Sequence, residues 1–188
     1  MKIDTITFVT GNKKKVEEVS RILNIPLNVL EADIDEIQNL DLEKIALHKL
    51  NQALELVKGP VIIDDVSVEV EAWNNFPGPL IKWLLKSGKG DASVLLKLLK
   101  GEKNRRATAK LAIGFHDGVE PHLFIGEIKG KIAEKITGKN GFGWDPVFIP
   151  EGYVKTFAQM TNDEKDAISH RGNALQKLSD FLKEDYEL

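Results

Sequence analysis

The chain has 188 residues, of which 42% are hydrophobic, and this predicts a single packed domain rather than a disordered chain. The formal charge of −3 disfavours bulk nucleic-acid binding, and no apolar run approaches the roughly 18 residues of a membrane span. No cysteine is present, which excludes disulfides, thiolate zinc sites and a cysteine nucleophile. Since the N-terminus also lacks a signal-peptide pattern, we expect a cytoplasmic protein.

The first part of the chain predicts a βαβ unit. A β-rich run, Ile3–Thr10, breaks at Gly11 and Asn12, and apolar residues at helical spacing then predict a helix over Lys13–Leu23. A second strand follows at Leu27–Leu30. A strand, a glycine-containing loop, a helix and a strand imply two parallel strands of an α/β sheet.

A long helix and a buried strand are predicted next. The polar connector Asp33–Asn39 leads to Asp41, which can cap the helix, and Gly59-Pro60 ends it. The apolar run Val61–Ile63 then reads as a short buried strand that ends before two acids.

In the second half of the chain the hydrophobic period moves towards two. Two long antiparallel strands are predicted at Arg106–Phe115 and His122–Ala133, joined by a turn at Asp117-Gly118. The smaller predicted elements are a turn-rich loop at Asn74–Pro79, helices at Leu80–Leu85 and Ala92–Leu99, a strand at Val147–Ile149, a capping box at Thr161 and Glu164, and a final helix carrying Leu175, Leu178, Phe181 and Leu182. The pattern predicts an α/β fold with a long twisted mixed sheet flanked by helices, as a single two-lobed domain over residues 1–188 whose second lobe lies around residues 105–135.

The loop Thr10-Gly11-Asn12-Lys13-Lys14-Lys15 is a candidate phosphate site. It joins the carboxyl end of a strand to a helix N-terminus, where ligands bind in open α/β sheets and where free N–H groups attract anions. It is not a Walker A motif, because the second glycine and the GK[ST] ending are missing. A capped surface helix with solvated lysines is the alternative.

Carboxylates after the buried strand are candidates for metal binding or for orienting water. Asp64 and Asp65 follow the strand directly, and alternation places them on opposite faces, so at most one points into a given cleft. Glu36, on the connector, is a plausible second ligand, since Mg²⁺ usually takes one or two carboxylates together with waters and phosphate oxygens. A polar strand-end turn and an ordinary exposed acid are the alternatives.

Two lysines occupy positions that would otherwise be apolar. Lys49 shares the helical stripe of Leu42 and Ala46, and Lys82 follows a Pro-Gly-Pro turn. Each either extends along the surface to solvent or reaches into a cleft.

The stretch from Asn140 to Arg171 is a candidate nucleobase site. Phe142, Gly143, Trp144 and Asp145 combine aromatic rings with a backbone path fixed by glycines, and stacking on such a ring contributes roughly 1–3 kcal/mol per base. His170 and Arg171 follow Ser169, a possible helix cap, and Lys165 lies one turn earlier. The alternative for Phe142–Asp145 is an aromatic turn within the core. Cations in the first turn of a helix oppose its dipole, so the position of His170 and Arg171 hints at a role.

Taken together, five motifs resemble those of the inosine triphosphate pyrophosphatase family, in order and over residues 6–182: FVTGNKKKVEEV, IIDDVSV, NNFPGPLIKW, FGWDPVFIPEGY and EKDAISHRGNAL. The resemblance implies hydrolysis of ITP, dITP and XTP between the α and β phosphates, Mg²⁺ dependence, a homodimer, and a substrate cleft between two lobes. By position, the resemblance implies phosphate binding by Thr10–Lys15 and metal binding by Glu36 and Asp65, with Asp65 also the proton acceptor. It implies substrate contacts from Lys49, Lys82 and Lys165. It also implies base stacking by Phe142–Asp145 and base-edge contacts from His170 and Arg171. Val66 departs from the family, which usually has Thr or Ser there, so a contact from that hydroxyl to phosphate or metal is expected to be missing or shifted.

Other functions remain open at this stage. A non-catalytic purine nucleotide sensor on the same fold would bind the triphosphate without cleaving it. A γ-phosphatase would release orthophosphate instead of pyrophosphate. A single-stranded nucleic-acid binder is disfavoured by the net charge.

Overall fold

The computed structural model describes residues 2–32, 34–88 and 90–186. The strands are β1 (Ile6–Val9), β2 (Leu27–Leu30), β3 (Val61–Val70), β4 (Pro77–Gly78), β5 (Arg106–His116), β6 (Pro121–Ile132) and β7 (Phe148–Pro150). The helices are α1 (Lys13–Leu23), α2 (Leu42–Leu56), α3 (Ile81–Ser87), α4 (Ser93–Leu98), α5 (Asn162–Asp166) and α6 (His170–Asp185). Asp33, the first residue of the predicted connector, lies outside the described residues.

The strands form one mixed sheet in the order β2-β1-β3-β5-β6-β7, with β4 paired to β3. β1 pairs in parallel with β2 and β3, which confirms the βαβ unit, and β5 and β6 form the predicted antiparallel pair. The predicted α/β class with a mixed sheet and flanking helices is confirmed.

Helix starts follow their caps. Asn12, Asp41 and Ser169 each accept backbone N–H groups from the first turn of α1, α2 and α6, and Thr161 and Glu164 form the predicted capping box of α5. These side chains stabilise N–H groups that have no partner inside the helix, which is why the local sequence located the starts well.

The strand that carries the two acids is longer than predicted. Instead of ending at Ile63, β3 continues to Val70, because β5 pairs with it along its whole length, from His116 opposite Val61 to Ala107 opposite Val70. The acids therefore lie in mid-strand, which corrects the expectation of a strand end. Phe8 of β1 is level with Ile62, so the acids still lie beside the carboxyl end of β1.

The apolar core forms three clusters around this sheet. One packs α1 and α6 on one face, a second packs α2 on the other, and a third joins the distal half of β3 to α3, α4 and the aromatic residues near β7. The parallel end of the sheet is thus covered on both faces, as α/β folds require. None of the described helices is long and apolar enough to cross a membrane.

Candidate functional site

A cavity of about 500 Å³ lies beside the end of β1, and most of the predicted site residues line it. Those that do are Thr10, Gly11, Asn12, Lys15, Glu36, Lys49, Asp65, Lys82, Phe142, Gly143, Trp144, Asp145, Lys165 and Arg171. With Lys86, the described lining holds six cationic and three acidic side chains. A chain of net charge −3 thus has a locally positive cavity, which attracts anions.

The start of α1 forms one wall of this cavity. Asn12 Oδ1 accepts the N–H groups of Lys14 and Lys15, at 3.1 and 3.4 Å, and Thr10 Oγ1 accepts that of Asn12. These three N–H groups are already bonded inside the loop, so the helix dipole and the lysine side chains are the main means of attracting phosphate.

Lys49 reaches into the cavity rather than out to solvent. Its Nζ donates to Asp65 Oδ2 at 3.2 Å, to the Asp64 carbonyl at 3.1 Å and to Glu36 Oε1 at 3.4 Å. Burial opposes its charge, but the carboxylates of Asp65, Asp64 and Glu36 outweigh that and raise the pKa of Lys49. Lys49 is therefore a permanently charged group among acids.

Glu36 also binds Lys82, whose Nζ lies 2.8 Å from both of its carboxylate oxygens. Burial would raise the pKa of Glu36, but the hydrogen bond from Lys82 and the charge of Lys49 bring it below the ordinary value. The acid is thus ionised at neutral pH and is available to a cation.

The donor set suits a divalent cation. Glu36 and Asp65 point at one common position, now taken by the Lys49 ammonium group, and Mg²⁺ favours one or two carboxylates supplemented by water and phosphate oxygens. Over the part of the chain that is described, no group of three or more His, Asp or Glu side chains could hold a metal ion. A metal here would depend on substrate oxygens to complete its ligands.

Asp64 lies on the face of β3 opposite to that of Asp65 and is almost fully buried, at 1% exposure. Its carboxylate accepts Lys15 Nζ at 2.7 Å and Arg171 Nη2 at 2.9 Å. Burial opposes ionisation, yet the charges of Lys15, Arg171 and Lys49 hold the pKa of Asp64 well below its usual range. Asp64 thus ties the start of α1 to the start of α6, a link that the sequence analysis did not assign.

Glu18, on α1, is a second buried carboxylate that the sequence analysis missed. Its Oε1 accepts Lys165 Nζ at 2.6 Å, and its Oε2 bonds Arg171 Nη1. Burial alone would raise the pKa of Glu18, but the cations of Arg171 and Lys165 lower it below the ordinary value. The one local signal was its spacing, one helical turn after Lys15, which many solvated acids share.

These two carboxylates explain how cations are tolerated in the first turn of α6. Arg171 is 3% exposed and donates to both Glu18 and Asp64. Burial together with the charges of Arg171 and Lys165 holds the pKa of His170 well below its ordinary value, so this ring is neutral. Within the described residues His170 Nδ1 and Arg171 Nε have no hydrogen-bond partner, and buried polar atoms of this kind call for an explanation such as a ligand.

The two rings of the aromatic turn lie in different surroundings. Trp144 is 6% exposed and packs edge-on against Phe148 in the apolar core, whereas Phe142 is half-buried with Lys165 Nζ 5.2 Å from its ring centroid. Asp145 accepts Lys165 Nζ at 2.8 Å and the Phe142 N–H at 2.7 Å. Its burial raises the pKa of Asp145. Phe142 offers the more accessible ring, and base stacking by Trp144 stays a prediction.

Three predicted residues are not among those that line the cavity. Lys13 is exposed, Lys14 Nζ donates to the Gly141 carbonyl at 3.0 Å, and His170 lies behind Trp144 with ring centroids 5.1 Å apart. Val66, which replaces the expected hydroxyl residue, does line the cavity, while Ser67 is fully buried and does not. The hydroxyl of Ser67 therefore does not substitute for the missing one.

The comparisons with known proteins agree over nearly the whole chain. Residues 6–181 match the model of the Ham1 family. The chain is 43% identical over 183 residues to the dITP/XTP pyrophosphatase of Thermococcus kodakarensis, covering 96% of this chain and 98% of that protein. It is 37% identical to the inosine triphosphate pyrophosphatase of Schizosaccharomyces pombe, with 97% of each chain covered. The solved structure of the Staphylococcus aureus Ham1 protein superposes with a TM-score of 0.83 at 30% identity, covering 96% of this chain and 99% of that one.

Proposed function

The chain belongs to the Ham1 family, and on that premise we propose that it hydrolyses ITP, dITP and XTP to the nucleoside monophosphate and pyrophosphate. Such an enzyme is a nucleoside triphosphate pyrophosphatase that removes non-standard purine nucleotides from the nucleotide pool. The observation that carries the proposal is one cavity lined both by the start of α1, with its lysines and acids, and by the aromatic turn with Lys165 and Arg171. A triphosphate and a purine need these two chemistries side by side.

At the phosphate end, we assign charge neutralisation to Lys15, Lys49 and Lys82. Each now bonds a protein carboxylate and would exchange it for a phosphate oxygen when substrate binds. Phosphoryl transfer asks mainly for positioning and electrostatic stabilisation, which fixed ammonium groups supply. Lys13, Lys14 and the Thr10–Asn12 loop complete the proposed phosphate contacts.

Mg²⁺ is the proposed cofactor, held by Glu36 and Asp65 on the donor geometry described above. When bound, it neutralises negative charge on the phosphate oxygens. Asp65 Oδ1 accepts the Val66 N–H at 2.8 Å, which leaves Oδ2, beside Lys49, to accept a proton from the attacking water. The water oxygen bonds to the α-phosphorus, the bond from that phosphorus to the bridging oxygen breaks, and pyrophosphate leaves.

At the base end, the proposed specificity comes from hydrogen-bond donors. Hypoxanthine and xanthine present an acceptor at O6. Arg171, which lines the cavity, holds a buried nitrogen without a partner among the described residues, and His170 beside it, outside the lining, holds another. Adenine carries a donor at that position and would leave such nitrogens unpaired. Sites of this kind discriminate by roughly 10⁴–10⁵.

The domain organisation, assembly and location are proposals of the same kind. Two apolar clusters on either face of β1 and β3, and a third around α3 and α4, are compatible with two lobes and a cleft at the cavity. The homodimer rests on the family resemblance, and sedimentation of the purified chain tests it. The cytoplasm is the proposed location because the nucleotide pool is there.

The test is a product assay on ITP, XTP, ATP and GTP with Mg²⁺, measuring pyrophosphate and orthophosphate separately. We expect pyrophosphate and monophosphate from ITP and XTP, and far slower turnover of ATP. Orthophosphate as product would identify a γ-phosphatase, and tight ITP binding without any product would identify a sensor. Equal rates on ATP and ITP would remove the specificity claim.

A further inference from the structure

Helix α1 bonds to the short helix α5 through two side chains that lie one turn apart. Glu18 and Arg21 are three residues apart on α1, a spacing that places them on the same face. Glu18 bonds Lys165, and Arg21 bonds the next residue, Asp166, with Nε–Oδ2 at 3.0 Å and Nη2–Oδ1 at 3.3 Å. An acid and a base on one helix thus meet a base and an acid on the other, and we call these four residues the α1–α5 clamp.

The clamp acts on a very short helix. α5 has only five residues, from Asn162 to Asp166, and an isolated helix of that length is unstable in water. Its capping box stabilises the backbone but does not fix where the helix lies. The turn into α6 fixes the Lys165 backbone, and contacts with Glu18 of α1 and with Asp145 hold its Nζ beside the Phe142 ring.

The clamp has an inner half and an outer half with different surroundings. The Glu18 and Lys165 side chains are 8% and 6% exposed, and Lys165 lines the cavity. The Arg21 and Asp166 side chains are 34% and 14% exposed, and neither lines the cavity. The outer half can therefore be changed without removing a side chain that lines the cavity, which makes it suitable for testing the idea.

Helix α1 also carries the proposed phosphate loop at its other end. Lys15 lies one turn before Glu18, so one rigid helix connects the residues at the phosphate end to the grip on Lys165. The contacts to α5 and the proposed phosphate loop thus belong to one helix.

We propose that Glu18 and Arg21 are positioning residues that hold Lys165 against the base end of the bound nucleotide and so set its affinity. This rests on the proposed function in that the nucleotide is taken to be ITP. Neither residue is assigned a role in the chemical step. The expected signature is weaker ITP binding and a raised KM with kcat nearly unchanged.

The experiment compares the wild-type chain with Arg21→Ala, Asp166→Ala and the reversed pair Arg21→Asp with Asp166→Arg. ITP binding is measured by calorimetry without added metal, alongside kcat, KM and the melting temperature. Each single variant is expected to lose about 3- to 5-fold in ITP affinity, the effect of a partly exposed ion pair, and the reversed pair to recover most of it. The matched control is Arg106→Ala, which removes an exposed Arg–Glu pair remote from the cavity and should leave ITP affinity unchanged.

Glu18→Gln tests the inner half of the clamp. We expect ITP affinity to fall about tenfold, because the amide keeps the shape of the side chain but loses the charge that binds two buried cations. If Glu18→Gln does not fold, the variants at Arg21 and Asp166 still test the proposal. Wild-type affinity in Arg21→Ala, or no recovery in a folded reversed pair, would overturn the clamp. A wild-type chain that binds ITP but releases no pyrophosphate would overturn the proposed function alone, whereas one that does not bind ITP would remove both.

Discussion

Strand β3 contributes residues to two cavities, and only one of these cavities has the chemistry of a functional site. β3 presents Asp65 to the cavity of about 500 Å³ and, four residues later, Glu69 to a larger one of about 590 Å³. The larger cavity is lined by charged residues as well, among them Glu71, Arg106 and Lys129. Volume alone would therefore choose the wrong one.

Burial of the charges separates the two. In the larger cavity the Arg106–Glu71 side chains are 73% and 49% exposed, whereas around the smaller one the Lys165–Glu18 side chains are 6% and 8% exposed. Exposed pairs contribute little, while buried charges are costly unless partners and hydrogen bonds compensate them. A chain that maintains such costly charges beside an open cavity has the marks of a functional site.

The largest expected effect comes from comparing substitutions at Asp65 and at Glu69. Asp65→Asn should lower the rate of pyrophosphate release from ITP by roughly 10²–10⁴, the range for loss of a general base. Glu69 bonds Lys110 of the neighbouring strand β5 in a half-buried pair. Since Glu69 does not line the cavity that holds Asp65, Glu69→Gln should leave that rate within about twofold. Steady-state assays on both variants, with circular dichroism to check folding, make the comparison. Near-normal turnover in Asp65→Asn would remove Asp65 from its proposed role.

A second test uses two glycines of β6. A methyl group at Gly126 would overlap the His170 carbonyl oxygen and the Ala174 backbone nitrogen of α6, whereas one at Gly130 would overlap the Ile149 carbonyl beside the larger cavity. Overpacking of this kind costs about 1–3 kcal/mol, so both alanine variants should have lower free energies of unfolding. Only Gly126→Ala should also lose ITP affinity, because it displaces the first turn of α6 and with it Arg171.

Denaturant unfolding gives the stability of each glycine variant, and calorimetry gives its ITP affinity. Equal loss of ITP affinity in both variants would mean that the two cavities are not independent, and the distinction drawn between them would fail.

The smallest expected effect is a pH dependence that comes from His170. In the unfolded chain a histidine takes up a proton below about pH 6.5, but burial beside Arg171 and Lys165 holds the pKa of folded His170 well below that value. The unfolded state then binds more protons, so the free energy of unfolding falls as the pH drops from about 6.5 towards the folded pKa, by at most about 1.4 kcal/mol per pH unit.

Urea unfolding at pH 7.5, 6.5 and 5.5 measures this slope. His170→Gln should flatten it, and His48→Gln, the same change on α2, is the matched control. An unchanged slope in His170→Gln would show that His170 is not held neutral in the folded protein.

Local sequence was sufficient for most elements. Caps such as Asn12 and Asp41, and the glycine and proline breaks, located α1 and α2 closely because they act on neighbouring N–H groups. The predicted extent of β3 was wrong because strand length depends on pairing with β5, which begins only at Arg106. The acids at Asp64 and Asp65 interrupt the apolar run without interrupting the pairing.

The sequence by itself determined the element types, the parallel unit and, through the resemblance of its motifs, the family. Tertiary structure alone decided which charges meet. Glu18 and Arg171 are 153 residues apart in the chain, and Asp64 and Arg171 are 107 apart. Local periodicity reports only neighbours within a turn or two, so these pairs arise from the packing of α1 and α6 over β3, which no local pattern encodes.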